Sequence, residues 1–228
     1  MDGCKLAFPA TLIKVLPKQK KQTIFLHIDP ENAFDQKYTG TDIQFLTTKY
    51  NRNKIIKTET DKLEKNNILQ NFYWCLGYNG KVLGILKNYL KPKYNYKTYF
   101  GFDPIYVSEN QKKIFEKILS KEEFVNCKEK LVLNDIYENF LDELKIFCSE
   151  NNKTIIIFTS PKFDDSCKND NLEFNQILKN KGLTYYDLTD HFKDNNLNKY
   201  WKDKTHLSNI GSEILTKEVN ILLNENLK

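Results

Sequence analysis

The sequence places acid–base chemistry in one short stretch, YWKDKTHLSNIG at 200–211. Asp203 stands three residues before His206, a spacing at which a carboxylate in a tight turn reaches one ring nitrogen of the histidine. A histidine that serves as a general base needs such a partner, because the partner sets the ring tautomer and stabilises the imidazolium that forms. A loop hydrogen bond without catalysis fits the same spacing, so both interpretations stay open here.

The residues after His206 indicate how this stretch is held. Ser208 is a typical N-cap, and the apolar pattern that follows predicts a helix from about 208 to 226. Gly211 lies in the first turn of that helix, where we expect the missing side chain to allow close packing against a sheet. The helix N-terminus would favour a neutral imidazole at His206.

The elements that must position this stretch follow an alternating order. Apolar, β-rich runs predict strands at 23–28, 153–161 and 183–188. Helical periodicity occupies 7–16, 133–152, 171–182 and 208–226. This order predicts an α/β fold with a mostly parallel central sheet and helices on both faces. We expect the loops that follow the strands, among them 29–32 and 203–206, to converge at one edge of the sheet.

Composition limits the size and the partners of the protein. The chain has 228 residues, 40% of them hydrophobic, which predicts a single domain over 1–228 with an irregular, aromatic-rich insertion near 40–120. The net charge of +5 comes almost entirely from lysine, and Arg52 is the only arginine. Arginine is the side chain best suited to bidentate contacts with bases or phosphates, and the chain has only one. We therefore expect no nucleic-acid partner.

Cysteine usage and hydropathy indicate the environment. The five cysteines are widely separated and show no metal-ligand spacing, which predicts free thiols in place of a disulfide framework, and no metal or cofactor. No run approaches the ~18 apolar residues of a membrane span. The N-terminus lacks the basic start and apolar core of a secretory signal, so the chain as written is expected in the cytoplasm, or in the cell envelope if a leader precedes it.

The stretch WKDKTHLSNIGSEIL at 201–215 resembles the last sequence block of the SGNH (GDSL-type) hydrolase superfamily. There, an Asp-x-x-His-Leu-Ser-x-x-Gly pattern supplies the acid and base of a Ser-His-Asp triad. The order of helices and strands over 134–223 resembles the branch related to polysaccharide and alginate-type O-acetylation proteins. The resemblance implies a three-layer, flavodoxin-like sandwich, with His206 as general base and Asp203 as the carboxylate that orients it.

The N-terminal part of the family pattern is matched less fully. The nucleophilic serine of the family lies in a Gly-Asp-Ser or Gly-x-Ser block after the first strand, and this chain has no such block. The stretch at 1–16 resembles the second block, which would make the Gly3 N–H an oxyanion donor. Asn32 is the nearest match to the asparagine of the third block. We therefore expect the first strand and the serine upstream of Met1, and little activity from this chain by itself.

The resemblance implies a serine esterase or an O-acyltransferase that acts on ester-linked acyl groups. Its substrate would be an acylated carbohydrate, such as surface polysaccharide, or a small ester. Hydrolase and transferase share the triad and differ only in the acceptor, so this choice stays open. The alternative is a non-catalytic relative that uses the fold to bind a glycan or a protein.

Overall fold

The computed structural model describes residues 5–63, 82–90, 108–121, 127 and 130–226. Contacts divide the chain into two compact units. The first unit comprises Met1–Pro92, Lys128–Thr159 and Asn169–Asp187. The second unit comprises Lys93–Cys127, Ser160–Lys168 and Leu188–Lys228.

The first unit contains a parallel sheet. Its strands are β1 (Gln22–His27), β2 (Lys153–Thr159) and β3 (Thr184–Asp187), in the order β1-β2-β3. Both pairs are parallel, with Gln22 opposite Lys153 in the first pair. The Thr159 hydroxyl donates to the carbonyl of Ile28 at 2.8 Å, across 131 residues of sequence. The predicted α/β class and the three predicted strands are confirmed among the described residues, with β1 shifted by one residue and β2 and β3 slightly shorter than predicted.

Helices fill most of the remaining described chain. The α-helices are α1 (Ala7–Val15), α2 (Pro30–Ala33), α3 (Lys54–Leu63), α4 (Val82–Leu90), α5 (Glu109–Leu119), α6 (Asp135–Glu150), α7 (Lys168–Asn180) and α8 (Asn209–Asn226). In the described parts of the chain, 3-10 helices cover Thr41–Arg52, Lys193–Asn195 and Asn198–Tyr200. The described parts of the predicted insertion near 40–120 are largely helical, whereas residues 91–107, which were predicted to be irregular, lie outside the described residues. Among the described helices, none is both long and apolar enough to cross a membrane.

Asn134 caps the N-terminus of α6. Asn134 Oδ1 accepts hydrogen bonds from the backbone N–H groups of Ile136 at 2.9 Å and Tyr137 at 3.3 Å. Its Nδ2 group also donates to the carbonyls of Asp35 at 3.0 Å and Tyr38 at 3.1 Å. One buried side chain therefore satisfies two helix donors and also binds two loop carbonyls, of which that of Asp35 accepts the Tyr38 N–H as well.

A cluster of four charges joins α1, α3 and α6 in the first unit. Lys14 Nζ lies 2.7 Å from Glu59 Oε2 and also contacts Glu143. Lys62 Nζ completes the cluster, 3.0 Å from Glu59 and 3.1 Å from Glu143. Lys14 and Glu59 are 8% and 5% exposed, so each ion relies on the other to offset the loss of hydration.

A disulfide joins Cys127 to Cys167 in the second unit. The prediction of free thiols is therefore wrong for these two residues. Their sequence separation of 40 residues gave no sign that their Cα atoms lie 5.4 Å apart, a distance that a disulfide spans readily. Cys148, in contrast, is a buried free thiol of the first unit, and burial raises its pKa.

Candidate active site

A tight turn in the second unit carries the predicted acid–base pair. Trp201 and Leu207 form an isolated antiparallel bridge, and residues 201–207 between and including them are called the dyad turn below. Inside it, the His206 carbonyl accepts the N–H groups of Lys202 at 2.9 Å and Asp203 at 3.4 Å. Because these bonds close the chain on itself, Asp203 and His206 face each other within a single turn.

Asp203 and His206 contact through their side chains. His206 Nδ1 lies 2.8 Å from Asp203 Oδ1 and 3.0 Å from Oδ2. Asp203 Oδ1 also accepts the backbone N–H groups of His206 at 2.8 Å and Thr205 at 3.0 Å. The carboxylate is therefore held by the backbone of the turn while it faces the imidazole. The structure brings these two predicted residues together.

Thr205 is a neighbour of the pair that the sequence analysis did not single out. Its hydroxyl lies 3.1 Å from Asp203 Oδ1 and 3.1 Å from His206 Nδ1. A hydroxyl residue between the acid and the base was the only signal in the sequence. The contact adds a third polar group on the Nδ1 side of the ring, opposite the Nε2 edge.

The electrostatics of the turn favour an ionised carboxylate. Burial acts to raise the pKa of Asp203, but the Thr205 N–H, the His206 ring and the His206 N–H together outweigh burial and lower that pKa below its ordinary value. An ionised carboxylate only accepts hydrogen bonds, so Nδ1 of His206 carries the proton and Nε2 carries the lone pair. The His206 side chain is 41% exposed, which gives a reacting group access to the ring.

Helix α8 begins directly after the dyad turn and holds its end. Ser208 Oγ accepts the N–H of Gly211 at 3.3 Å and donates to the Lys199 carbonyl at 2.7 Å, so the predicted N-cap is confirmed. The Ser208 N–H donates to the Tyr200 carbonyl at 2.9 Å. A Cβ atom on Gly211 would lie 2.2 Å from that same carbonyl oxygen. Gly211 thus allows a close approach to Tyr200, and not to a sheet strand as predicted.

An aromatic cluster packs against the first residue of the dyad turn, Trp201. Trp201 is 2% exposed, and its ring packs edge-on against Phe163 and Phe192 with centroids 5.7 Å away in both cases. Its indole N–H donates to Asn196 Oδ1 at 2.6 Å. Because both the ring and the N–H of Trp201 are satisfied, the start of the turn is firmly placed.

A cavity of about 260 Å³ lies beside the segment that carries the turn. Aromatic and aliphatic groups form much of its wall, and lysine, glutamate, amide and hydroxyl groups form the rest. Representative lining residues are Phe115, Leu119, Lys199, Trp201 and Asn209. Its volume is close to the lower end of the ~300–1,000 Å³ range of ligand pockets, so it suits a small ligand or one end of a larger one.

The two predicted oxyanion donors are not joined to this turn by any described contact. Gly3 lies outside the described residues. Asn32 lies in α2 of the first unit, where its backbone N–H is bonded to the Asp29 carbonyl at 3.0 Å. The backbone N–H of Asn32 is therefore already used within its own helix cap. Their assignment as oxyanion donors stays a prediction.

No group of three or more His, Cys, Asp or Glu side chains is arranged to hold a metal ion within the part of the chain that the structure describes.

Comparison with known proteins adds no family to this description. The sequence matches no protein-family model, and a search of curated proteins gives no significant match.

Proposed function

We propose that Asp203 and His206 are the acid and base of an SGNH-type serine esterase or O-acyltransferase. The observation that carries the proposal is the pair of 2.8 and 3.0 Å contacts between the Asp203 carboxylate and His206 Nδ1. They select the tautomer in which Nε2 is the base. The three-layer, flavodoxin-like sandwich with an additional first strand belongs to the same proposal.

In the proposed reaction, His206 Nε2 takes a proton from a serine hydroxyl as that oxygen attacks the acyl carbonyl. The same ring then returns the proton to the leaving alcohol. Asp203 stabilises the imidazolium between these two steps without itself taking the proton. General base catalysis of this kind contributes about 10²–10⁴-fold to a rate. We assign the nucleophile to no residue of this chain, and a serine supplied from outside residues 1–228 is part of the same proposal.

The proposed substrates are acylated carbohydrates and small esters. A cavity of about 260 Å³ in the same unit supports this choice, because its apolar walls suit apolar parts of a ligand while its lysine and amide groups suit hydroxyls or charges. Asp203 and His206 do not line this cavity, so it would hold a part of the substrate away from the reacting bond. The Cys127–Cys167 disulfide favours an oxidising compartment such as the cell envelope, since cytosolic thiols are normally kept reduced.

The test compares p-nitrophenyl acetate turnover by this chain with turnover by a version that retains its natural upstream coding sequence. We expect background turnover from the chain alone and active-site-serine labelling by a fluorophosphonate in the extended version. His206→Ala in the extended version should lower kcat by at least ~10²-fold. His191→Ala is the matched control, because His191 lies in the same unit and its ring packs against Phe192.

The second candidate function is binding without catalysis. The observation that favours it is the cavity itself, whose walls do not include Asp203 or His206 and therefore do not depend on the pair. If the extended version neither reacts with a fluorophosphonate nor responds to His206→Ala, the hydrolase proposal fails. Binding of acetylated oligosaccharides by this chain, measured by calorimetry and weakened by Trp201→Phe, would then support the second function.

A further inference from the structure

The dyad turn is held from two sides at one residue, Lys204. The backbone N–H of Phe163 donates to the Lys204 carbonyl at 3.1 Å. The Lys204 ammonium donates to the carbonyl of Lys121. Lys204 lies directly after Asp203 and two residues before His206, so both anchors act on the short segment between the acid and the base.

The disulfide joins the two segments that provide these anchors. Cys167 follows Phe163 by four residues, and Cys127 follows Lys121 by six. All of these residues belong to the second unit. The covalent bond therefore holds together two segments that would otherwise contact the turn independently. Linking two weak contacts in this way raises the effective concentration of each for its partner.

The segment that ends at Cys167 has further contacts with the start of the turn. The Phe163 ring packs edge-on against the Trp201 ring, at 5.7 Å between centroids. The Phe163 carbonyl accepts the Asn196 side-chain N–H at 2.9 Å, and Asn196 in turn accepts the Trp201 indole N–H at 2.6 Å. Movement of this segment would therefore disturb contacts at both the beginning and the middle of the dyad turn.

We propose that the Cys127–Cys167 disulfide is a positioning element for Asp203 and His206, and that its reduction by a dithiol loosens their contact. The catalytic meaning of this inference rests on the proposed function, because it describes control of the same pair. Its structural content does not, since the contact between the two side chains can be measured without any substrate.

The exposure of the two cysteines indicates which sulfur atom the reductant attacks. Cys127 is exposed and Cys167 is half-buried, so a thiolate of the dithiol attacks Sγ of Cys127 and breaks the S–S bond. Cys167 leaves as a thiolate and takes up a proton. The second thiol of the reductant then attacks the mixed disulfide and releases Cys127 as a thiol. The protein gains two electrons and two protons, and the dithiol becomes a cyclic disulfide.

The experiment is NMR of the protein labelled with ¹⁵N-histidine, before and after reduction with dithiothreitol. The His206 signals are assigned from a His206→Gln spectrum, and His27 and His191 serve as internal references. In the oxidised protein we expect His206 as the Nδ1–H tautomer with a single sharp signal set. After reduction we expect a shift of the His206 ring signals toward an averaged tautomer, unchanged signals from His27, and unchanged far-UV circular dichroism.

Two variants, each with a matched control, separate this effect from a general loss of stability. Cys127→Ser combined with Cys167→Ser should show the reduced His206 spectrum and no response to dithiothreitol, whereas Cys148→Ala should retain the response. Lys204→Ala should shift the His206 signals in the oxidised protein, whereas Lys202→Ala, from the same turn, should not.

Reduction is first confirmed by mass spectrometry. If the His206 spectrum of the reduced protein is then unchanged, the inference is overturned. Loss of far-UV circular dichroism on reduction would also overturn it, because the disulfide would then be a general stability element. Absence of ester turnover by the extended version, together with a normal redox response of His206, would count against the proposed hydrolase alone.

Discussion

The Gly211→Ala substitution tests the packing that holds the dyad turn against α8. A Cβ atom there would lie 2.2 Å from the Tyr200 carbonyl oxygen and 3.1 Å from both the Tyr200 carbonyl carbon and Leu207 Cδ2. Ordinary carbon–oxygen contacts are about 3.3 Å or longer, so the chain must move by about 1 Å. The obstructing oxygen is backbone and already accepts the Ser208 N–H, which means that movement also weakens the helix cap.

The expected size of the effect follows from three contributions. Overpacking costs about 1–3 kcal/mol, and disturbance of the cap adds about 1 kcal/mol. Alanine recovers about 1 kcal/mol of helix propensity relative to glycine. The balance is a loss of about 2 kcal/mol in the free energy of unfolding, a sizeable part of the ~5–15 kcal/mol of a typical domain. Urea unfolding followed by circular dichroism and by fluorescence measures it.

Gly84→Ala is the matched control for this prediction. Gly84 also lies in a helix, α4, but a Cβ atom there would have no neighbour within 4 Å. The same substitution should therefore stabilise the protein by about 0.5–1 kcal/mol, since only helix propensity changes. Equal or greater stability of Gly211→Ala than of the unchanged protein would refute the close approach to Tyr200.

Three further predictions concern charge and capping. The pKa of Asp203 is lowered in the folded protein, so its ionised form contributes stability that is complete at pH values above 3.8, the ordinary pKa of the group. This stability is lost as the pH falls through the pKa of the folded state. Asp203→Asn removes the titrating group and should make the stability of the second unit less dependent on pH below about pH 4. Lys14→Met leaves the buried Glu59 without its closest cation and should cost about 3 kcal/mol by urea unfolding, whereas Lys18→Met, at an exposed site, should change stability by less than ~0.5 kcal/mol. Asn134→Ala removes the α6 cap and two loop contacts, and should cost about 2 kcal/mol in the same assay, with a smaller loss contradicting the capping role.

The secondary structure was largely predictable because its signals are local. The apolar runs of β1 and β2 and the helical periodicity of α6 depend only on neighbouring residues, and all three elements occur where their patterns indicate. The Asp203–His206 contact is predictable for the same reason, since both residues lie within one turn.

Contacts that depend on distant residues were not predictable in this way. The Cys127–Cys167 bond and the approach of Gly211 to Tyr200 depend on how loops fold back in space, which no periodicity reports. The position of Thr205 next to both members of the pair depends on side-chain rotamers within the turn. Sequence spacing therefore indicates which residues can react, and the loop structure determines what holds them.

The parallel pairing of β1 with β2 has a consequence for protein synthesis. The Thr159 hydroxyl at the end of β2 reaches the Ile28 carbonyl just beyond β1 across 131 residues of sequence. At about 5–20 residues per second, a ribosome needs about 7–26 s to make the intervening chain. During that interval β1 has been synthesised but β2, its neighbour in the sheet, has not. The backbone edge of β1 that pairs with β2 in the folded protein is then unpaired, and an unpaired strand edge is a place where another chain can pair.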